Sequence, residues 1–240
     1  MFDEVTRDNI DRHVVREFGR PKWCDARVKL VERDGRRAIL KDVNDRPAVF
    51  RFTLGRCLIR REFRIYERLE GIEGVPDAYR RLDRDGFLIE YIDGTAVTRK
   101  ELERGQDVDE SYYRRCAELL EVIHARGIVH LDLRNGKNFI LGEDGRPHIV
   151  DFASALYFPR WVPGRRRIVR LLGAFDRAGL LKAKQKLTPE LLAEGEREWL
   201  ARFERTRGIL FPHVPILKIL RQRRRRRAKE ARRQAGDGPA

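Results

Sequence analysis

The sequence predicts an α+β chain with a β-rich first part and a helical second part. Three observations carry this expectation. Between residues 26 and 93, apolar and polar residues alternate around short glycine turns, as in antiparallel strands. Beyond residue 94 the apolar residues recur at helical spacing. Where the first long helical pattern ends stands a crowded polar run, "GIVHLDLRNGKNFIL", residues 127–141.

The elements follow in order. The opening stretch "MFDEVTRDNIDRH" is acidic and polar, unlike a secretory leader. "ARVKLVE" and "RRAILKDV" flank the turn "RDG" and read as a hairpin. "RREFRIYERLEGIEG" reads as a helix with Phe63, Tyr66 and Leu69 on one face and a glycine after its last turn. "YRRLDRDGFLIEYI" reads as a second hairpin whose strand "FLIEYI" is buried. "DESYYRRCAELLEVIHARG" is a strong helix, with Ser111 as its cap, Tyr113, Cys116, Leu120 and Ile123 as its stripe, and Gly127 as its stop. "NFILGEDGRPHIVDF" turns at "EDG". "RRIVRLLGAF" predicts a helix with Ile168, Leu171, Leu172 and Phe175 on one face. "TPELLAEGEREWLARFERTRG" predicts another, with Thr188 as cap, Pro189 at its first position and Gly208 as its stop. The expected organisation is a β-rich N-terminal lobe over residues 1–93, a helical C-terminal lobe over 94–208 and a tail over 209–240.

Composition excludes several classes. At 240 residues and 41% hydrophobic, the chain suffices for one large domain or two small lobes. No run of 18 apolar residues exists, so no spanning helix is expected. Cys24, Cys57 and Cys116 are odd in number and lack CxxC spacing, which argues against a disulfide framework or a zinc site and for a reducing cytoplasm. His13, His124, His148 and His213 show no ligand spacing. Trp23, Trp161 and Trp199 read as core or lobe-edge packing. The net charge is +15, but residues 218–233 hold ten Lys/Arg against one Glu, so most of the excess belongs to the tail.

Five polar residues stand at the ends or interiors of apolar elements. Lys41 lies inside the strand "AILKD", and Glu62 lies on the next helix. Asp132, Asn138 and Asp151 surround the second-half hairpin. Taken singly, each has a structural explanation: a surface lysine lying along a strand, a loop cap, a turn, a strand end. A buried ammonium is costly without a partner, and Glu62 supplies one. Together and in this order they are the parts that phosphoryl transfer to a hydroxyl requires. A cation holds the α/β-phosphates, a carboxylate steadies it, oxygen ligands hold the metal, and a further carboxylate takes the hydroxyl proton.

Over residues 26–155 these motifs resemble the protein-kinase-like superfamily. "AILKD" is similar to the strand carrying the phosphate-binding Lys, here Lys41, and "REFRIYERL" to the helix carrying its partner, here Glu62. "FLIEYIDG" resembles the last N-lobe strand and hinge. That would set Ile89 to guard the pocket and the backbones of Glu90 and Ile92 against adenine. "HLDLRNGKN" resembles the catalytic loop, with Asp132 as base, Asn138 as metal ligand and Arg134 where a Lys usually contacts the transferred phosphate. "IVDFA" resembles Asp-Phe-Gly, with Asp151 as main metal ligand. The resemblance implies a two-lobed kinase-like fold that uses ATP and Mg.

The departures narrow the resemblance. No G-x-G-x-x-G precedes Lys41; only "EFGRPKW" is present. Leu131 replaces the usual Arg, so activation-loop phosphorylation is not expected to be the switch. Asn138 lies six residues after Asp132, where five is usual, and Gly136 is the residue that could absorb a bulge. Ala153 replaces the last Gly of Asp-Phe-Gly, no Ala-Pro-Glu follows, and the activation segment is short. These features resemble atypical bacterial members, the lipopolysaccharide-core (Kdo or heptose) kinases and the RIO-type kinases. The implied activity is phosphate transfer to a hydroxyl of a lipopolysaccharide-core sugar or other glycolipid. The alternatives are a pseudokinase that binds nucleotide or a partner, and a RIO-like Ser/Thr protein kinase. His130, two residues before Asp132 on an extended chain, points the same way as Asp132, and the resemblance gives it a bracing role. The tail over 209–233 has three readings: a solubilising end, a nucleic-acid contact (the less favoured of the two binding roles) and an anchor on an anionic membrane. The last would place the protein in the cytoplasm, peripheral on the inner membrane.

Overall fold

The computed structural model describes residues 2–19, 25–134 and 136–210. The greater part of "EFGRPKW", Cys24 and the expected 211–233 anchor lie outside the described residues. A 3₁₀ turn, Ile10–His13, leads into β1 (Val14–Phe18), β2 (Arg27–Arg33) and β3 (Arg36–Asp42). A continuous helical stretch follows: α1 (Ala48–Phe50), a π segment over Arg51–Gly55, and α2 (Arg56–Leu69). Then come β4 (Ala78–Arg81), β5 (Gly86–Glu90), β6 (Gly94–Ala96), α3 (Arg99–Leu102) and α4 (Glu110–Ala125). Next are β7 (Ile128–Val129), β8 (Phe139–Gly142), β9 (Pro147–Ile149) and β10 (Leu156–Tyr157). The described chain closes with α5 (Arg165–Leu187) and α6 (Glu194–Leu210). The first sheet runs β1-β2-β3-β5-β4, antiparallel throughout. Together with the helical second part, this is the α+β architecture of a two-lobed kinase-like fold. The chain divides into two units at Leu191/Leu192.

The period of two along β3 and β5 positions the site. Ala38, Leu40 and Leu88 face outward, while Phe87 and Ile89 face α2. Phe87 packs on Phe63 and Tyr66 of α2, with ring centroids at 5.4 and 6.1 Å. By the same alternation Lys41 points to the α2 side. The outer face does not stay wet. Phe2, Val5 and Ile10 bury themselves on it, so the polar-looking N-terminal stretch is a cover for the sheet. Arg7 fastens that cover. Its guanidinium donates to Asp42 at 2.7 and 3.1 Å and to Asp83 at 2.7 and 2.9 Å.

Several local expectations are corrected. The cap of α4 is Asp109, whose carboxylate accepts the Tyr112 N–H at 2.8 Å; Ser111 instead donates its hydroxyl to Asp109. The expected stripe of that helix is buried. On α5 the buried face is Val169, Gly173, Asp176 and Leu180, while Leu171 is 70% exposed and Ile168, Leu172 and Phe175 are half-buried. The reason is steric. His124 of α4 comes so close that a Cβ on Gly173 would lie 2.7 Å from its ring, so the small face packs rather than the most apolar one. Thr188 ends α5 instead of starting a helix: its N–H donates to the Lys184 carbonyl at 2.8 Å, and its hydroxyl donates to the Tyr113 hydroxyl oxygen at 2.9 Å. A 3₁₀ turn, Pro189–Leu191, follows, and α6 starts only at Glu194 and runs past Gly208. Trp161 is not packed; it is 81% exposed. Trp199 stacks on Phe203 within α6, centroids 5.3 Å apart.

Candidate active site

Glu62 lies on the buried stripe of α2, between Ile59 and Phe63 on one side and Tyr66 on the other. A carboxylate there must be paired. Lys41 reaches it from β3, and the lysine Nζ also donates to Asp151 Oδ1 at 2.7 Å. Burial opposes the Lys41 charge, but Glu62 and then Asp151 outweigh it and hold the ammonium well above its ordinary range. Burial pushes the Glu62 carboxyl up, with Lys41 pulling the other way. Lys41 in turn holds the Asp151 carboxyl below the usual carboxylate range. The result at neutral pH is a fixed cation beside an ionised Asp151.

Asp151 is aimed by its backbone. It follows β9 in the left-handed region, at φ 68°, and its N–H donates to the Tyr66 hydroxyl oxygen at 3.1 Å. Phe152 is fully buried against the Tyr66 edge (5.2 Å) and the His130 ring (4.8 Å). Tyr66, expected only as core, thus also positions the carboxylate.

The loop after β7 is held from α5. Asp176, 1% exposed, accepts the backbone N–H groups of His130 and Leu131 at 2.7 and 2.6 Å and bonds the His124 ring at 2.9 Å. Leu131 adopts φ 66°, so the chain is not extended here, and His130 and Asp132 do not point the same way. His130 turns inward, fully buried, and its Nε2 bonds the Val150 carbonyl at 3.0 Å. Asp132 turns outward to the cavity. Desolvation first, and Asp151 nearby, raise its carboxyl above the ordinary value. Asn138 Nδ2 donates to the Asp132 carbonyl at 2.7 Å, leaving its oxygen for other duty. The six-residue step is accommodated at Gly136, which sits at φ 70°, where a Cβ would collide with the Val97 carbonyl.

Lys41, Glu62, Asp132 and Asp151 line one cavity of about 690 Å³, roofed by Val28, Val43 and Phe50. Among the described lining residues, Ile89, Glu90, Ile92, Arg134 and Asn138 are absent; Asn138 is tied to the site through its bond to the Asp132 carbonyl. Ile89 is buried in the core instead. The Glu90 N–H donates to the Asp77 carbonyl at 2.9 Å, so that amide does not face a base. Lys137, passed over in the sequence, lines the cavity instead of Arg134. Lys137 stands directly before Asn138, and that adjacency was the signal. Asp176 was also missed, although it carries the same mark as Glu62: a lone carboxylate on the buried stripe of a helix.

Among the described residues no group of three His, Cys, Asp or Glu forms a metal cage. Magnesium does not need one, because it keeps waters and substrate phosphates and takes only one or two protein oxygens. Asp151, ionised and with an oxygen not engaged by Lys41, and the free oxygen of Asn138 fit that demand.

A lysine clamped by a helix glutamate, with a loop Asp and a post-strand Asp on one cavity beneath an antiparallel sheet, is the arrangement of a kinase-like fold. The model of the RIO domain matches residues 34–160, more than half of the chain. The protein belongs to the RIO domain family, a protein-kinase-like family. The comparison with curated proteins returned no match.

Proposed function

We propose that the protein is an ATP- and Mg-dependent phosphotransferase acting on an alcohol. The observation that carries this is Lys41 held between Glu62 and Asp151, with Asp132 on the same cavity. Lys41, aimed by Glu62, grips the α/β-phosphates. Asp151 and Asn138 would hold Mg, which when bound offsets phosphate charge. Asp132 orients the acceptor hydroxyl and takes its proton. Lys137 offsets charge on the moving phosphoryl group.

The proposed acceptor is a hydroxyl of a lipopolysaccharide-core sugar or other glycolipid. Thirteen residues, 152–164, separate Asp151 from α5, which leaves little platform for a folded protein substrate. The basic 209–233 tail would hold the protein on the anionic cytoplasmic face of a membrane. Among the described residues no helix is long and apolar enough to cross one. The family match supports the Ser/Thr protein kinase alternative. The absence of a G-x-G-x-x-G before Lys41 and the extra residue between Asp132 and Asn138 favour the second reading, a pseudokinase.

Single-turnover phosphate release and nucleotide binding test the reading. Asp132→Asn is expected to lower turnover by roughly 10²–10⁴-fold while leaving ATP affinity unchanged. Equal turnover in the variant, or no turnover in the wild type, rejects the enzyme reading.

A further inference from the structure

A second charged feature lies away from the cavity. Residues 160–171, "RWVPGRRRIVRL", carry five arginines and no acid. Arg160, Arg166, Arg167 and Arg170 are exposed. Arg160, Trp161 and Arg165 line a groove of about 510 Å³ with Arg68 and Arg126. Arg160 and Arg165 also line the adjoining groove of about 1200 Å³, which adds Arg166, Arg167 and Arg170 and holds Glu121 at its rim. Arg60 and Arg64 continue the strip along α2. Among the described residues, no carboxylate forms an ion pair with Arg60, Arg64, Arg126, Arg160, Arg165, Arg166, Arg167 or Arg170. Arg165 spends its donors on the Phe158 and Ala125 carbonyls, which brace the loop without neutralising charge.

Large apolar side chains protrude from the same segment: Trp161 and Leu171 are both mostly exposed. Such a run of guanidiniums without a counter-charge among the described residues, beside an open indole, is unusual for a surface with no partner.

We infer that this face docks on an anionic lipid bilayer, with Trp161 at the headgroup level and the arginines on lipid phosphates. Arginine-rich charge interleaved with Trp and Leu is the composition of an interfacial segment, and an indole is at home where apolar and wet regions meet. A single-stranded nucleic acid is the weaker fit. It is read by successive open rings, and the neighbouring Tyr157 is already covered by Arg68, whose guanidinium carbon sits 4.2 Å from its centroid. An exposed Leu171 has no use against a base. The proposal is independent of phosphate transfer and of the tail.

The test uses the full chain and vesicles of phosphatidylcholine with or without phosphatidylglycerol. Brominated acyl chains quench tryptophan emission only on contact. Expected is binding that needs phosphatidylglycerol, with quenching that drops in Trp161→Ala. Each exposed arginine near an anionic surface is worth about fivefold, so Arg160→Ala, Arg166→Ala and Arg167→Ala together weaken binding by roughly a hundredfold. A cooperative melt at the wild-type temperature shows that these surface variants fold. Several outcomes overturn the proposal: no vesicle binding, unchanged binding in the triple variant (the tail alone sufficing), or quenching identical in wild type and Trp161→Ala. Arginine-dependent, salt-sensitive RNA binding without lipid quenching overturns it too and assigns the face to nucleic acid.

Discussion

At the scale of single residues, the site depends on groups whose charge is set by their neighbours. Asp132 works as a base only when ionised, and its carboxyl is raised above 3.8 by desolvation. Turnover is therefore expected to fall, as pH is lowered, through an apparent pKa above that value. The same limb is expected to be missing from the residual activity of Asp132→Asn, which a pH–rate profile reads directly. Gly136 is a test of the unusual loop spacing. Gly136→Ala places a Cβ on the Val97 carbonyl at a left-handed position, and the loop must shift. A loss of about tenfold or more in turnover is expected, with the global melting temperature little changed. Normal turnover in this variant would mean that the Asn138-to-Asp132 hydrogen bond is not part of the machinery.

At the scale of elements, two attachments invite measurement. Removing Arg7 leaves the buried Asp42 carboxylate short of its counter-charge and releases the N-terminal cover. Arg7→Ala is expected to cost about 2–3 kcal/mol by denaturant unfolding, less than a fully buried pair because Arg7 is a quarter exposed. The sign with pH follows from Asp83. Burial raises its carboxyl, but the Arg7 guanidinium and the backbone N–H groups of Asp85 and Gly86 together more than reverse this, and the net value lies below the ordinary 3.8. Its stabilisation is thus complete above pH 3.8 and fades as pH falls through the lower, folded value, and Arg7→Ala is expected to flatten that acid decline. The α5 helix supplies the second measurement. Leu171→Ala on the exposed face is expected to change stability by less than about 0.5 kcal/mol, whereas Leu180→Ala on the buried face costs about 2–5 kcal/mol. Similar losses for both would mean that the apolar face read from spacing is the packed one after all.

At the scale of the whole molecule, the strand-borne Lys41, the helix-borne Glu62 and the loop-borne Asp151 are three separate attachments brought to one point. A ligand that bridges them ties the first-half sheet to the second-half loop. With nucleotide at about a hundred times its dissociation constant, Mg·ATP is expected to add about 2.7 kcal/mol and raise the melting temperature by roughly 5–10 °C. In Asp151→Asn the Mg-dependent part of that shift is expected to vanish while any Mg-independent part stays. A shift that does not depend on Mg in the wild type would argue that Asp151 and Asn138 hold no metal.

Much of this molecule is local enough to be legible in one dimension. The strand alternation, the turns at "RDG" and "EDG" and the stripe of α4 all arise from neighbours a few residues apart, and the order of Lys41, Glu62, Asp132, Asn138 and Asp151 is read directly along the chain. So does the gathering of polar groups in "HLDLRNGKN", because a loop must set several of them within its own short span. What only the tertiary structure decided depends on distant partners. The packed side of α5 was chosen by the approach of His124 to Gly173, a matter of volume that hydrophobic spacing does not encode. Asp176 holds the His130–Leu131 backbone from more than forty residues away, and Leu131's positive φ turns Asp132 toward the cavity. Lys137 rather than Arg134 lines the cavity, and the Glu90 amide is taken by Asp77 across a chain reversal. The residue types and their order come from the sequence; which side chains meet, and which surface stays bare, is set by close packing.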